Sequence, residues 1–84
     1  MFNSTLARVK RELKSLKETQ RSESIAAIYM IEKQLSKALF LREKSKKQRP
    51  PHQNRTRKNS LNELRQCSFL LVTARDFFNN NKQQ

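Results

Sequence analysis

Apolar residues in the first half of the chain recur at helical spacings. The first stripe consists of Leu6, Val9, Leu13 and Leu16. Spacings of three, four and three place these side chains on one face of a helix. Residues 17–24 contain no hydrophobic side chain, but steps of four from Leu16 return to nearly the same face at Ile28, and neither glycine nor proline intervenes. The pattern predicts one helix over residues 3–47, with two helices and a kink near residue 20 as the alternative.

The segment that begins near Ile28 is apolar on more than one side. Tyr29 and Phe40 fall outside the stripe that Ile31 and Leu35 share. A helix with apolar side chains on several faces needs a second contact, either within the chain or with another copy. We therefore predict a core shared with a second copy of the chain. Its members are Ile28, Ile31, Leu35, Leu64, Leu71 and Phe78.

Two consecutive prolines predict the break between helices. Pro50 and Pro51 have no backbone amide, and the residue before a proline is pushed out of the α region. The first helix should therefore end before or near Arg49. The polar and basic residues that follow have no hydrophobic anchor, which predicts a mobile basic loop over residues 48–59.

A helix start signal follows this loop. The sequence Ser-Leu-Asn-Glu from Ser60 to Glu63 has the form of a capping box, in which each of the two side chains accepts a hydrogen bond from the backbone amide of the other residue. It predicts a second, more apolar helix over residues 60–79, followed by a tail of residues 80–84.

Composition supports the same class of fold. The chain has 84 residues with two prolines and no glycine, which disfavours tight β-hairpins and favours long helices with one break. A chain of this length forms at most one small domain with a thin core. We predict an all-α fold over residues 1–84, in which a long basic amphipathic helix, a proline-containing basic loop and a second apolar helix form a dimerising helical hairpin.

Charge narrows the class of partner. The formal net charge is +12, and residues 42–58 carry eight lysines or arginines against one acid, Glu43, and so a local net charge of +7. A field of this sign gathers polyanions. A second basic ridge runs along the first helix, beside its apolar stripe. The predicted nucleic-acid contacts are Lys10, Lys14, Lys17, Arg21, Arg42, Lys44, Lys46, Lys47, Arg49, Arg55, Arg57 and Lys58.

Catalytic chemistry has little support in this sequence. The only histidine, His52, lies in the predicted loop, and the only cysteine, Cys67, lies in an apolar run, so no nucleophile and base can be paired. The acids are dispersed among cations and predict no metal site. No apolar run approaches the ~20 residues that span a bilayer. We predict a protein that is not an enzyme, needs no cofactor or small-molecule substrate and lies in the cytoplasm or nucleus, with an organelle as the alternative.

These features predict a small basic protein that contacts the nucleic-acid backbone with low sequence selectivity, because a cationic helix and loop suit phosphates better than base edges. RNA is favoured over DNA, since arginine-rich segments often order on RNA. The alternative is a helical interaction subunit whose charge meets an acidic partner. A membrane-surface helix ranks last, for lack of tryptophan and of a large apolar wedge. Tyr29 and Phe40 are assigned to packing rather than to base stacking.

Overall fold

The described part of the chain is helical almost throughout. The structure, a computed structural model, describes the backbone of residues 1–18 and 22–82 and the side chains of these residues other than 22, 23 and 78–82. Three α-helices occupy the described residues: α1, Phe2–Glu18; α2, Ser22–Lys46; and α3, His52–Lys82. They form a rod of 52 × 17 × 15 Å. The all-α prediction is confirmed for this part of the chain.

Helices α1 and α2 run in opposite directions. The guanidinium carbon of Arg42 lies 4.6 Å from the centroid of the Phe2 ring, and Lys17 Nζ lies 2.7 Å from Glu32 Oε1. In one straight helix Phe2 and Arg42 would be about 60 Å apart. The prediction of a single helix over residues 3–47 is therefore wrong. The alternative of two helices is correct, although the predicted kink near residue 20 lies outside the described residues.

The core forms where all three helices meet. Its buried apolar members are Phe2, Val9, Leu13, Leu16, Ile31, Ala38, Leu64, Cys67 and Leu71. The apolar stripe predicted on α1 is confirmed, with Leu6 partly buried at its edge. Of the six residues predicted to share a core, Ile31, Leu64 and Leu71 are buried and Ile28 and Leu35 pack against them. The side chain of Phe78 lies outside the described residues.

Small side chains line the contact between α2 and α3, which is the largest of the three helix interfaces. The Sγ of Cys67 lies 3.8 Å from the carbonyl oxygen of Ile31 and donates to it, so the two backbones approach closely. Because α2 and α3 are antiparallel, each seven-residue step forward along α2 from this pair is matched by a seven-residue step backward along α3. The facing positions defined in this way form a seam. It consists of Ser24 and Ala74, Ile31 and Cys67, Ala38 and Ser60, and Ser45 and Gln53. A seven-residue repeat on both helices is the register of an antiparallel coiled-coil contact.

The predicted basic loop is mostly helix. Helix α2 ends at Lys46, the connection covers residues 47–51, and α3 begins at His52, so the loop prediction is wrong for residues 52–59. Proline is tolerated in the first turn of a helix, where its missing amide would have no partner. Here Arg49 O accepts from Gln53 N at 3.1 Å, and Pro51 O accepts from Arg55 N at 3.3 Å. The two prolines thus lead directly into α3.

Ser60 does not start a helix. It is buried inside α3, and its hydroxyl donates to Arg57 O at 2.8 Å. The capping-box prediction is therefore wrong, as is the start of the second helix at residue 60. The predicted tail over residues 80–84 is also partly wrong, since α3 continues to Lys82.

The rod has two structurally different parts. Helix α1 has 17 residues and α3 has 31, which correspond to about 25 and 46 Å of helix. Because α1 begins beside Arg42, it covers only one end of the α2–α3 pair. We call the covered three-helix part the bundle. We call residues 42–58, where α2 and α3 project beyond α1, the tip.

Candidate nucleic-acid interface

The tip gathers eight of the predicted contact residues into one projecting element. They lie at the end of α2, in the connection and in the first two turns of α3. Seven are exposed, and Arg42 is partly buried. The eight are Arg42, Lys44, Lys46, Lys47, Arg49, Arg55, Arg57 and Lys58. The tip contains no hydrophobic residue, so its surface chemistry is that of its cations and amides.

The single acid of the tip leaves most of this charge uncompensated. Glu43 Oε1 accepts from Lys46 Nζ at 2.9 Å, and this hydrogen bond, with the charge of Lys46, lowers the pKa of the Glu43 carboxyl. Glu43 therefore stays ionised at neutral pH. No ion pair joins the other tip cations to an acid within the described residues.

Arg42 has a structural contact. Its guanidinium lies over the Phe2 ring, which holds the start of α1 against α2 through a cation–π interaction. This geometry occupies one face of the guanidinium and leaves its edge able to donate. Arg42 therefore marks the boundary between the bundle and the tip.

The start of α3 adds to the positive potential of the tip. Its first turn contains no acid, and the aligned peptide dipoles place partial positive charge at this end of the helix. Arg55 and Arg49 thus lie near a helix terminus that favours anions. A bound anion would offset the repulsion between these arginines and the positive end of the helix dipole.

The basic ridge on α1 does not extend the tip. Lys10, Lys14 and Lys17 are exposed on α1, about 12, 18 and 22 Å farther along that helix than Phe2, in the direction away from the tip. Lys17 is paired with Glu32. Arg21 lies outside the described residues. The predicted cations therefore form two groups, one at the tip and one along the flank of the bundle.

Two aromatic residues that sequence reasoning assigned to packing lie on the surface. Tyr29 and Phe40 each have 67% of their surface exposed. The available signal was their position, since neither falls on the face that carries Ile31 and Leu35. The sequence pattern did not show which of the outlying faces another helix would cover.

An apolar groove lies between α2 and α3. It encloses about 360 Å³ and is lined by residues that include Met30, Leu70 and Phe77. Met30 is 63% exposed and Phe77 is 56% exposed. Large exposed side chains around one groove are typical of a surface that contacts another molecule.

The remaining candidate chemistry is confined to one thiol. Cys67 is buried and forms no disulfide. Burial raises the pKa of its thiol to about 11, so the reactive thiolate is scarce at neutral pH. No cluster of metal-binding side chains occurs among the described residues. Within the same residues no helix is both long and apolar enough to cross a bilayer.

Searches of protein-family models, curated proteins and solved structures gave no match to this chain. Function is therefore inferred from the charge, exposure and geometry of the residues described above.

Proposed function

We propose that this protein binds nucleic acid, preferably RNA, through phosphate contacts made by the tip, with low sequence selectivity. The observation that carries the proposal is the concentration of a net charge of +7 on a narrow projecting element whose only acid is already paired. Neutralising phosphates with lysine and arginine releases condensed counterions, which supplies most of the free energy of non-specific binding.

Low selectivity follows from the composition of the tip. Reading base edges requires a few rigidly held side chains, usually in bidentate geometry. Here the exposed cations have no neighbouring side chain that fixes their orientation, apart from Arg42 and Lys46. Such side chains follow a phosphate backbone of variable shape. RNA is preferred because arginine-rich elements commonly recognise it by shape and backbone.

The first test is the salt dependence of binding. If the tip contacts about six phosphates, affinity for a short RNA should fall about 1,000-fold between 50 and 200 mM salt. Fluorescence anisotropy with a labelled oligonucleotide measures this directly. An affinity that stays constant over this range would exclude the electrostatic mechanism.

The second test replaces Arg55, Arg57 and Lys58 together by glutamine. The three side chains are exposed, so the variant should fold, and removing cations near the start of α3 should leave its melting temperature equal or slightly higher. The slope of log affinity against log salt should decrease in magnitude by about two to three. An unfolded variant would show instead that these residues are structural.

The matched control replaces Arg11, Arg65 and Arg75 by glutamine. These arginines are also exposed, but they lie on α1 and on the part of α3 beyond the tip. Both variants lose the same formal charge. If binding depends on the tip, the control should retain most of the salt slope, whereas equal losses would show that only the total charge matters.

The apolar groove supports a second candidate function, that of a helical interaction subunit or homodimer. A partner helix that covers this groove would bury Met30 and Phe77, which are now exposed, together with the remaining surface of Leu70. The distinguishing observation is the state of the isolated protein. Protein that is free of nucleic acid after a low-salt wash, and dissolves only with a protein partner, would favour this candidate.

A further inference from the structure

The outer face of α2 carries exposed aromatic and lysine side chains in one line. Tyr29, Lys33, Phe40 and Lys44 are all exposed, and steps of four, seven and four residues keep them on one side of the helix. Lys47 follows five turns after Tyr29, and its backbone amide bonds to Lys44 O at 3.1 Å, so the line reaches the tip. We call these five residues the α2 stripe.

We propose that the α2 stripe binds single-stranded nucleic acid, with bases stacked on Tyr29 and Phe40 and phosphates held by Lys33, Lys44 and Lys47. This inference rests on the proposed function and specifies its ligand. Aromatic rings alternating with cations are the arrangement by which proteins bind single strands without reading their sequence. A duplex keeps its bases stacked on one another and offers them no such platform.

Exposure separates these rings from ordinary core aromatics. Both have two thirds of their surface in solvent, while Ile31 on the inner side of the same helix is 2% exposed. A ring that packs against another helix would have lost that surface. The stripe is therefore available to a ligand in the folded protein.

The charges beside the α2 stripe favour a polyanion. Two acids border it, and each is paired with a lysine outside the stripe: Glu32 with Lys17 at 2.7 Å, and Glu43 with Lys46 at 2.9 Å. The lysines of the stripe make no ion pair within the described residues. The bordering acids are thus compensated, and the stripe itself has only positive charge.

The surface next to Tyr29 has room for a base. An open depression of about 310 Å³ is lined by Tyr29, Glu32, Lys33 and Ser36. A base stacked on the Tyr29 ring would place its edge near a hydroxyl and a carboxylate, which can exchange hydrogen bonds with any of the bases. This environment is compatible with stacking that tolerates all sequences.

The geometry sets the length of the bound strand. Tyr29 and Phe40 are about 16 Å apart along the helix, so they contact separate bases rather than neighbours. From Tyr29 to Lys47 the stripe is about 27 Å long, and single-strand binding sites cover about 4–16 nucleotides. A 12-nucleotide oligouridine should therefore occupy the whole stripe, and a 4-nucleotide one should bind more weakly.

The experiment compares labelled 12-nucleotide oligouridine with a 12-base-pair RNA duplex at the same salt concentration. Wild-type protein should bind the single strand more tightly. Replacing Tyr29 and Phe40 by leucine should weaken single-strand binding about 10-fold or more for each ring and leave duplex binding unchanged. The matched control replaces Phe69 and Phe77, which are exposed on α3, by leucine. It should leave the affinities for the single strand and for the duplex unchanged.

A spectroscopic signal tests stacking independently of affinity. Tyr29 is the only tyrosine, so its ring protons give unique NMR resonances, and stacking of a base should shift them upfield. Equal binding of both probes, an unaffected leucine variant and unshifted resonances would overturn the stripe and leave the proposed function of the tip intact. Failure of the wild-type protein to bind either probe would overturn both.

Discussion

The bundle and the tip share one helix register but are stabilised by different means. At the bundle end the α2–α3 seam contains Ile31 opposite Cys67, both almost completely buried, and α1 closes the core over them. At the tip the same seven-residue register places Ser45 opposite Gln53, and none of the tip's own residues is hydrophobic. The pairing of α2 with α3 thus continues into the tip, although hydrophobic burial stabilises it only in the bundle.

The difference explains how a strongly charged element can project from so small a core. Burial of apolar surface contributes about 25 cal/mol per Å², and the tip contains no hydrophobic residue that could supply it. Its helices persist because they continue helices anchored in the bundle, and because small seam residues such as Ser45 allow close approach. Polar atoms are less well satisfied there: Gln48 Oε1 is buried without a hydrogen-bond partner among the described residues. The tip should therefore be the less stable part.

The largest effect should come from removing core volume in the bundle. Leu64 is completely buried, so Leu64→Ala should lower the free energy of unfolding by about 2–5 kcal/mol. Urea unfolding followed by circular dichroism measures the loss. The matched control Leu61→Ala, at a partly buried site on the same helix, should cost less. Equal costs at the two positions would contradict the core as described.

Local stability offers a second comparison between the two parts. Backbone amides of residues 55–58 should exchange with solvent through local opening, whereas those of residues 64–71 should require global unfolding. The opening free energies should differ by about 2 kcal/mol or more, which is about a 30-fold difference in protection. Native-state hydrogen exchange measures both sets in one sample. Equal protection would show that tip and bundle unfold as one unit.

The same comparison shows what the sequence could predict. The stripe of Leu6, Val9, Leu13 and Leu16 identified the buried face of α1, because apolar periodicity reports burial directly. It did not reveal that the chain reverses after α1, since no glycine or proline marks that position and steps of four across the polar residues 17–24 return to nearly the same face at Ile28. A periodic pattern identifies a face and not the direction of the chain.

The tip was mispredicted for a related reason. Its helical segment in α3 has a polar residue, Gln53, at its seam position and no hydrophobic residue at all, so apolar periodicity gives no sign of a helix there. The prolines were interpreted as the start of a loop although they are equally suited to the first turn of a helix. The concentration of positive charge in the tip was nevertheless apparent, because charge density is visible in the sequence without any structure. The exposure of Tyr29 and Phe40 was not predicted, because it depends on where the other helices pack against α2.

The seam at the tip should tolerate loss of a hydroxyl better than gain of volume. Ser45 is completely buried, and its hydroxyl bonds only to Arg42 O within its own helix, at 2.6 Å. Ser45→Ala should therefore change stability by less than about 1 kcal/mol. Ser45→Leu should force the helices apart and cost about 1–3 kcal/mol. Thermal unfolding of the two variants measures the difference, and an equally mild effect of leucine would show that the helices do not approach closely at the tip.

The smallest effect concerns how α1 is held on the bundle. Lys17 and Glu32 join α1 to α2, but their side chains are 52% and 44% exposed, and such pairs contribute about 0.2–1 kcal/mol. A double-mutant cycle with Lys17→Met and Glu32→Gln should give a coupling energy in this range that decreases at 1 M salt, where charges are screened within about 3 Å. Leu13→Ala, in the buried stripe of α1, should cost several times more. That ratio would show that apolar burial attaches α1 and that the ion pair only sets its alignment. A coupling energy as large as the Leu13 effect would reverse this order and would make attachment of α1, unlike the rest of the bundle, sensitive to salt.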